Sequence, residues 1–303
     1  MAIRTNHRSI AVDDLESPLR LDVYVSQHCD IPRSVFQRSD TTITLNGKPV
    51  KKSRLVESGD HIEVIYTEEY FEGLVAQPIA LQILYEDPHL LVINKEQGMV
   101  VHPGAGNWQD TVVNALLHRY GTSFADLGES LRPGIVHRLD KDTSGVLAIA
   151  LDTTSHRRLS EQFKKRSVER VYIALVAGRL SQSSGTVEQN IKRHPIKRKE
   201  FITCSKEEGR SARTDWTVIK QHASWALVRL SLHTGRTHQI RVHMRSIGHP
   251  ILGDPIYGSG GKMPLMLHAL ILGCDHPITG ERVRVIAPMP KRFKNALGHG
   301  DGE

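Results

Sequence analysis

The chain concentrates its chemistry between residues 134 and 145, which read GIVHRLDKDTSG. His137, Arg138, Asp140, Lys141 and Asp142 stand together there, directly before the apolar run VLAIA. Loops that enter strands often carry catalytic groups. Asp140 has basic neighbours in His137, Arg138 and Lys141, which favour its carboxylate form. The pattern suits a catalytic carboxylate, and it suits equally a charged turn held by Asp and Ser/Thr side chains. A hydrolase using Asp140 with Asp142 needs both carboxylates facing one bond, whereas alternate loop positions usually diverge. A second constellation covers residues 234–258, with TGRTHQIRVH, GHPI and GDPIYG. Its arginines can pair with a carboxylate or a phosphate. His238, His243 and His249 follow no common zinc spacing and lack an acidic companion, so no metal is expected. No GxxxxGK[ST] or GxGxxG loop occurs, and GSGG at 258–261 reads as a flexible loop. No cofactor is expected.

These groups need a scaffold. VLAIA supplies a strand behind the first loop. Further strand-like runs fall at 81–85, 90–94, 168–176 and 225–232. A helix is predicted over 111–120, with Val112, Val113, Leu116 and Leu117 on one face. Another is predicted over 154–165, with Leu159 and Phe163 inward and a basic outer face. There is no regular βαβ alternation. Residues 80–295 therefore read as an α+β catalytic domain, a mixed, largely antiparallel sheet with flanking helices.

A smaller α/β module precedes it over residues 19–67. It reads as a helix at 19–28 and a short helix after Pro32, capped by Ser34 and ending near Asp40. A hairpin then turns at Asn46-Gly47, and a strand follows Gly59-Asp60. Residues 1–18 read as an extension, 68–79 as an acidic linker and 296–303 as a tail.

Composition narrows the partners. The 303 residues carry a net charge of +7, too mixed and too apolar for a disordered chain. Residues 1–78 are net acidic, yet 33–54 hold six basic groups and one acid. The basic excess lies in the remainder, with a dense stretch at 156–213. Basic clusters on both modules favour a polyanion. Three scattered cysteines, no apolar leader in residues 1–14 and no membrane-length apolar run point to a reduced, cytoplasmic protein.

HRLDKDTSG at 137–145 resembles the active-site signature of the RluA/RluD family of pseudouridine synthases. NKEQGMVVHPG, RVYIALVAG, TGRTHQIRVH with GHPILGDPIYG, and LMLHALIL with HPITGE resemble its other motifs, in order, over residues 80–292. The first module resembles the S-four RNA-binding domain, through Leu21-Asp22, Arg33-Ser34, Val35, LNGKPVKK and SGD. Three departures stand out: Glu96 for the usual proline, Arg170 for the usual lysine, and Ser39-Asp40-Thr41 where such modules carry a glycine.

The resemblance implies a redox-neutral isomerisation of uridine, most simply in large-subunit ribosomal RNA, with transfer RNA as the alternative. A non-catalytic RNA-binding or ribosome-assembly factor is the alternative from another class. No membrane and no obligate protein partner are implied. Asp140 would be the essential aspartate, adding to C1′ or acting as a base at the sugar. The target base would leave the stack to reach it. Tyr172 would stack on that base, Arg241 would orient Asp140, Arg138 would fill the vacated position, and Leu267 would pack against the base. Lys95 and His102 would be pocket or structural residues. Arg33, Lys48 and Lys51 on the first module, and Lys192, Arg193, Lys197, Arg198 and Lys199 on the second, would hold RNA phosphates.

Overall fold

The computed structural model describes residues 2–29, 31–70, 73–104, 106–127, 132–258 and 263–298. The chain divides into two units, Met1–Gly73 and Leu74–Glu303. The end of the tail and most of the GSGG loop lie outside the described residues.

The first unit contains β1 (Ala2–Ala11), β2 (Leu19–Arg20), α1 (Leu21–His28), β3 (Thr42–Leu45), β4 (Lys48–Pro49), β5 (Leu55–Val56) and β6 (His61–Tyr70). One sheet has the order β1-β6-β3-β4, and β2 pairs with β5. Leu21, Tyr24 and Val25 fall at helical spacing and bury one face of α1 against Val56, Ile62 and Val64. The hairpin turns where expected, with Asn46 and Gly47 both at positive φ, 51° and 75°.

Two features differ from the sequence reading. Residues 2–11, set apart as an extension, form β1 and pair with β6 along its whole length. The second helix contracts to a 3₁₀ turn at Val35–Gln37, and the Ser34 side chain does not cap it. Thr41 Oγ1 donates to the Val35 carbonyl at 2.7 Å, taking the acceptor that a longer helix needs. Only Val35 and Phe36 of that turn reach the core.

The second unit contains β7 (Ile83–Glu86), β8 (Leu90–Lys95), α2 (Val112–Tyr120), β9 (Ser144–Ala150), α3 (Thr153–Lys165), β10 (Glu169–Ala177) and β11 (Ser184–Glu188). It continues with β12 (Asn190–Arg193), β13 (Phe201–Cys204), β14 (Arg213–Gln221), β15 (Trp225–Leu232), α4 (Gln239–Ser246), β16 (Leu267–Asp275), β17 (Arg282–Ile286) and α5 (Lys291–Gly298). The main sheet runs β11-β14-β15-β10-β16-β9-β8-β7, with β17 also on β16. Its pairs are antiparallel except β16 with β9, so the sheet is mixed, as expected. α5 extends to Gly298, into the stretch read as tail.

VLAIA is continuously apolar because β9 is buried on both faces. Leu147 and Ile149 face the cluster that α2 covers with Val113 and Leu116. Val146, Ala148 and Ala150 face the cluster containing Leu159 of α3. Thr111 caps α2 in a reciprocal box with Asn114. At the β9–β16 crossing the backbones touch. Gly145 has φ 118°, and a β-carbon there would lie 2.1 Å from the Ala269 carbonyl oxygen, so only glycine fits. This crossing brings the loop before β9 beside the start of β16 and the middle of β10.

Candidate active site

The loop 137–143 is held from below by a buried lysine. Lys95 Nζ donates to the carbonyls of Glu96 and Met99 at 2.8 Å and of Lys141 at 3.1 Å. Burial lowers its pKa to about 7. Gln97 Nε2 donates to the Asp142 and Leu265 carbonyls, and Gly98 N–H to that of Lys141. Lys95 is therefore structural, and the Glu96 carbonyl is one of its acceptors. His137, next to Arg138, accepts from Ala148 N–H and stacks on Phe163 with centroids 4.5 Å apart. Burial pushes its pKa down to about 3, so it is a neutral packing group. His102 is also neutral, its pKa lowered to about 4 by burial and then by Arg138.

Asp140 sits half-buried above this support. Arg241, in the first turn of α4, donates from Nη1 to Asp140 Oδ2 at 3.3 Å. The same guanidinium makes a two-pronged pair with Asp254, Nε to Oδ2 at 2.7 Å and Nη2 to Oδ1 at 2.8 Å. Asp254 is fully buried and also accepts from the Ile256 and Tyr257 N–H groups. Burial opposes the charge on Arg241, but Asp254 and then Asp140 outweigh it and raise its pKa. Burial likewise opposes the Asp254 charge, and Arg241 with the two N–H groups overcomes it and lowers its pKa. Asp254 thus aims Arg241, and Arg241 aims Asp140.

His238 closes the other side. Its Nε2 lies 4.0 Å from Asp140 Oδ2, and its Nδ1 lies 2.8 Å from the Tyr257 hydroxyl. That hydroxyl also accepts from Phe201 N–H at 2.8 Å, so it ties His238 to the start of β13. Burial lowers the His238 pKa, partly offset by Asp140. Its backbone is left-handed, φ 56°, unusual for a histidine.

Asp140, Arg138, Tyr172, Arg241 and Leu267 all line one cleft of about 500 Å³. Tyr172, on β10, is 8 % exposed, and burial pushes its phenol up to about 12, so it is protonated at neutral pH. Leu267 opens β16, and Arg138 is exposed at the rim. The cleft offers a carboxylate, a neutral phenol, an imidazole and two apolar surfaces to a planar ring.

The residues expected on RNA phosphates lie elsewhere. Arg33 donates to the buried Asp22 at 3.0 Å while staying largely exposed. Lys48 and Lys51 are exposed on the first unit and line a groove with Arg54. Lys192 and Arg193 lie on β12, Lys192 paired with Glu208 and Arg193 over the Phe201 ring at 5.4 Å. Lys197 pairs with Glu200 at 3.0 Å, and Arg198 is exposed in the connection to β13. The three histidines considered for zinc have separate partners: Tyr257 for His238, Thr214 for His243, the Ala177 carbonyl for His249. The motifs GDPIYG and NKEQGMVVHPG contain Asp254, Tyr257 and Gln97, but the sequence assigns them no role. GDPIYG held the signal, an acid beside the aromatic that it positions.

Residues 89–246 match the RNA pseudouridylate synthase family. An uncharacterized RNA pseudouridine synthase of Chlorobaculum parvum is 40% identical over 314 residues, covering 95% of this chain and 96% of the relative. A ribosomal large subunit pseudouridine synthase D of Borreliella burgdorferi is 40% identical, covering 92% and 88%. Among solved structures, human RNA pseudouridylate synthase domain containing 1 is similar, with TM-score 0.58, 28% identity and coverage of 71% and 86%. With the mixed sheet and its cleft, these relatives establish that the chain belongs to the RluD-type RNA pseudouridine synthases and is a pseudouridine synthase.

Proposed function

We propose that this enzyme isomerises specific uridines of large-subunit ribosomal RNA, with Asp140 as the essential carboxylate. The observation that carries the reading is the chain Asp254–Arg241–Asp140, which holds one carboxylate fixed at a cleft walled by Tyr172 and Leu267. The N1–C1′ bond breaks, the base turns, and a C5–C1′ bond forms. Asp140 engages the sugar, by addition at C1′ or as a base. Either role uses the carboxylate that Arg241 orients. The uracil ring lies between Tyr172 and Leu267 after leaving the stack, and Arg138 at the rim fills its place. C5 loses a proton and N1 gains one, and the protonated Tyr172 hydroxyl beside the ring serves as a relay, passing on its own proton as it accepts the one from C5.

The first unit acts as an S-four-like RNA-binding module. Its hairpin presents Lys48 and Lys51 to solvent. Lys192, Arg193, Lys197 and Arg198 extend the contact along the RNA backbone. The ribosomal target is supported by the name of the Borreliella relative. A cytoplasmic location goes with that target and with three free cysteines. The test is to incubate the enzyme with unmodified transcripts of large-subunit ribosomal RNA and of transfer RNAs, then map pseudouridines. Discrete sites in the ribosomal transcript are expected. Sites confined to transfer RNA overturn the ribosomal assignment.

A further inference from the structure

Several arginines of the second unit are answered by carboxylates, Arg119 by Glu86, Arg213 by Asp215 and Arg284 by Glu169. Arg166, Arg170 and Arg236 differ. All three line the cleft, and among the described residues none has a carboxylate at ion-pair distance. Arg170 lies over the Phe163 ring at 5.9 Å and makes one long hydrogen bond, Nη2 to the Leu232 carbonyl at 3.4 Å, while its buried Nε has no hydrogen-bond partner. Arg236 Nε donates to the Ser211 carbonyl at 3.0 Å. Arg166 ends α3 in a left-handed conformation, φ 62°. Burial lowers the pKa of Arg170, with Tyr172 opposing and Arg166 adding to the drop, and burial, then Arg210 and Arg166, lower that of Arg236. Arg166 thus stands close enough to act on both of the other guanidinium groups.

The fold provides for this arrangement. Gly235 leaves room for Arg170, since a β-carbon there would lie 2.8 Å from Nη1. Strand alternation turns Glu169, the preceding residue, toward Arg284 and away from the cleft. Like charges with an unfilled buried donor are stable together when an anion sits among them, and planar guanidinium forks match phosphate. Arg170 and Tyr172 are two residues apart on one strand face, about 7 Å, a step comparable with one nucleotide.

We infer that Arg166, Arg170 and Arg236 form a phosphate seat, which grips the backbone phosphodiester adjacent to the uridine that enters the cleft. The inference rests on the reading of the cleft given above. RNA occupies the seat rather than an acidic peptide, because the seat opens into the same cleft as Asp140 and Tyr172.

The test uses the full chain and labelled nonamers with one central uridine among adenosines, read by fluorescence anisotropy. Each nonamer carries a single uncharged methylphosphonate, next to the uridine on its 5′ side, on its 3′ side, or three nucleotides away. One adjacent substitution is expected to weaken wild-type binding about tenfold, and the remote one little. Arg170→Met is expected to bind the all-phosphate nonamer about tenfold more weakly and to treat all three methylphosphonates alike. Its salt slope should fall by about 0.7, one phosphate on a single strand. Arg170→Lys keeps the charge and should keep the slope. Arg236→Gln, on a different segment, should repeat the loss. Equal wild-type affinity for one-uridine and all-adenosine nonamers overturns the reading of the cleft, and the seat with it. A uridine preference, with methylphosphonate discrimination undiminished in both Arg170→Met and Arg236→Gln, overturns the seat alone.

Discussion

Replacing Asp254 by asparagine separates the carboxylate proposed to engage substrate, Asp140, from the one that holds its arginine. Asp254 is fully buried, with Arg241 nitrogens 2.7 and 2.8 Å from its two oxygens. Charges about 4 Å apart at an effective dielectric of ~20 attract by about 4 kcal/mol. Deleting one partner of a buried pair costs about 3–5 kcal/mol, because the other charge is left uncompensated. Asparagine can still accept from the Ile256 and Tyr257 N–H groups, so Asp254→Asn should lose about 3 kcal/mol, the lower end of that range. The freed guanidinium turns toward Asp140 and displaces it, and an error of about 1 Å in a reacting group costs on the order of a hundredfold in turnover. Stability is read by urea denaturation. All three tryptophans, Trp108, Trp216 and Trp225, lie in the second unit, so fluorescence follows the unit that carries the pair. Turnover is read as pseudouridine formed at saturating RNA. The double variant Asp254→Asn/Arg241→Met, which keeps the acceptor for both N–H groups and removes the uncompensated charge, should be more stable than Asp254→Asn alone and stay inactive. Wild-type stability and turnover in Asp254→Asn would refute the aiming role of this pair.

Further outcomes follow from other parts of the structure. Lys48→Glu with Lys51→Glu should weaken binding of large-subunit RNA and flatten its salt dependence, with unchanged turnover at saturation; an unchanged salt slope in a binding titration argues against the first unit as an RNA contact. Gly145→Ala should cost about 3 kcal/mol or more in urea denaturation, because its β-carbon meets the Ala269 carbonyl; a neutral result contradicts the tight β9–β16 crossing. His268 is fully buried, and burial, with Arg292, lowers its pKa to about 4. The unfolded chain binds that proton near pH 6.5, so stability is full above pH 6.5 and falls as pH drops from 6.5 to 4. The loss is about 3 kcal/mol, and His268→Gln should flatten that limb of the pH–stability curve; a limb as steep as wild type contradicts the assignment.

Groups adjacent in sequence were legible, and groups brought together across the fold were less so. The contiguity of HRLDKDTSG with its apolar strand marks the loop, and the resemblance alone gives Asp140 its role. Tyr172, Arg241 and Leu267 came through family resemblance, and the structure lines them up on one cleft. Asp254 escaped because its partner is thirteen residues away on a helix whose periodicity is hidden. Gln239 to Met244 of α4 are all buried, so no polar face alternates with an apolar one. β1 was invisible for the opposite reason. It is an edge strand held by backbone pairing with β6, and residues 5–11 show almost no apolar alternation. The residues after Pro32 read as a helix because one turn of apolar residues does not distinguish a 3₁₀ turn from an α-helix.

The central claim is that one carboxylate, Asp140, does the chemistry. Asp140→Asn keeps the side chain's shape and should leave RNA affinity within about threefold of wild type, since its charge does not attract phosphate. Pseudouridine mapping on the large-subunit transcript, after equal incubation with wild type and with Asp140→Asn, tests it most directly. The account predicts discrete pseudouridines with wild type and none with the variant. Pseudouridines formed by the variant at wild-type rate would contradict it.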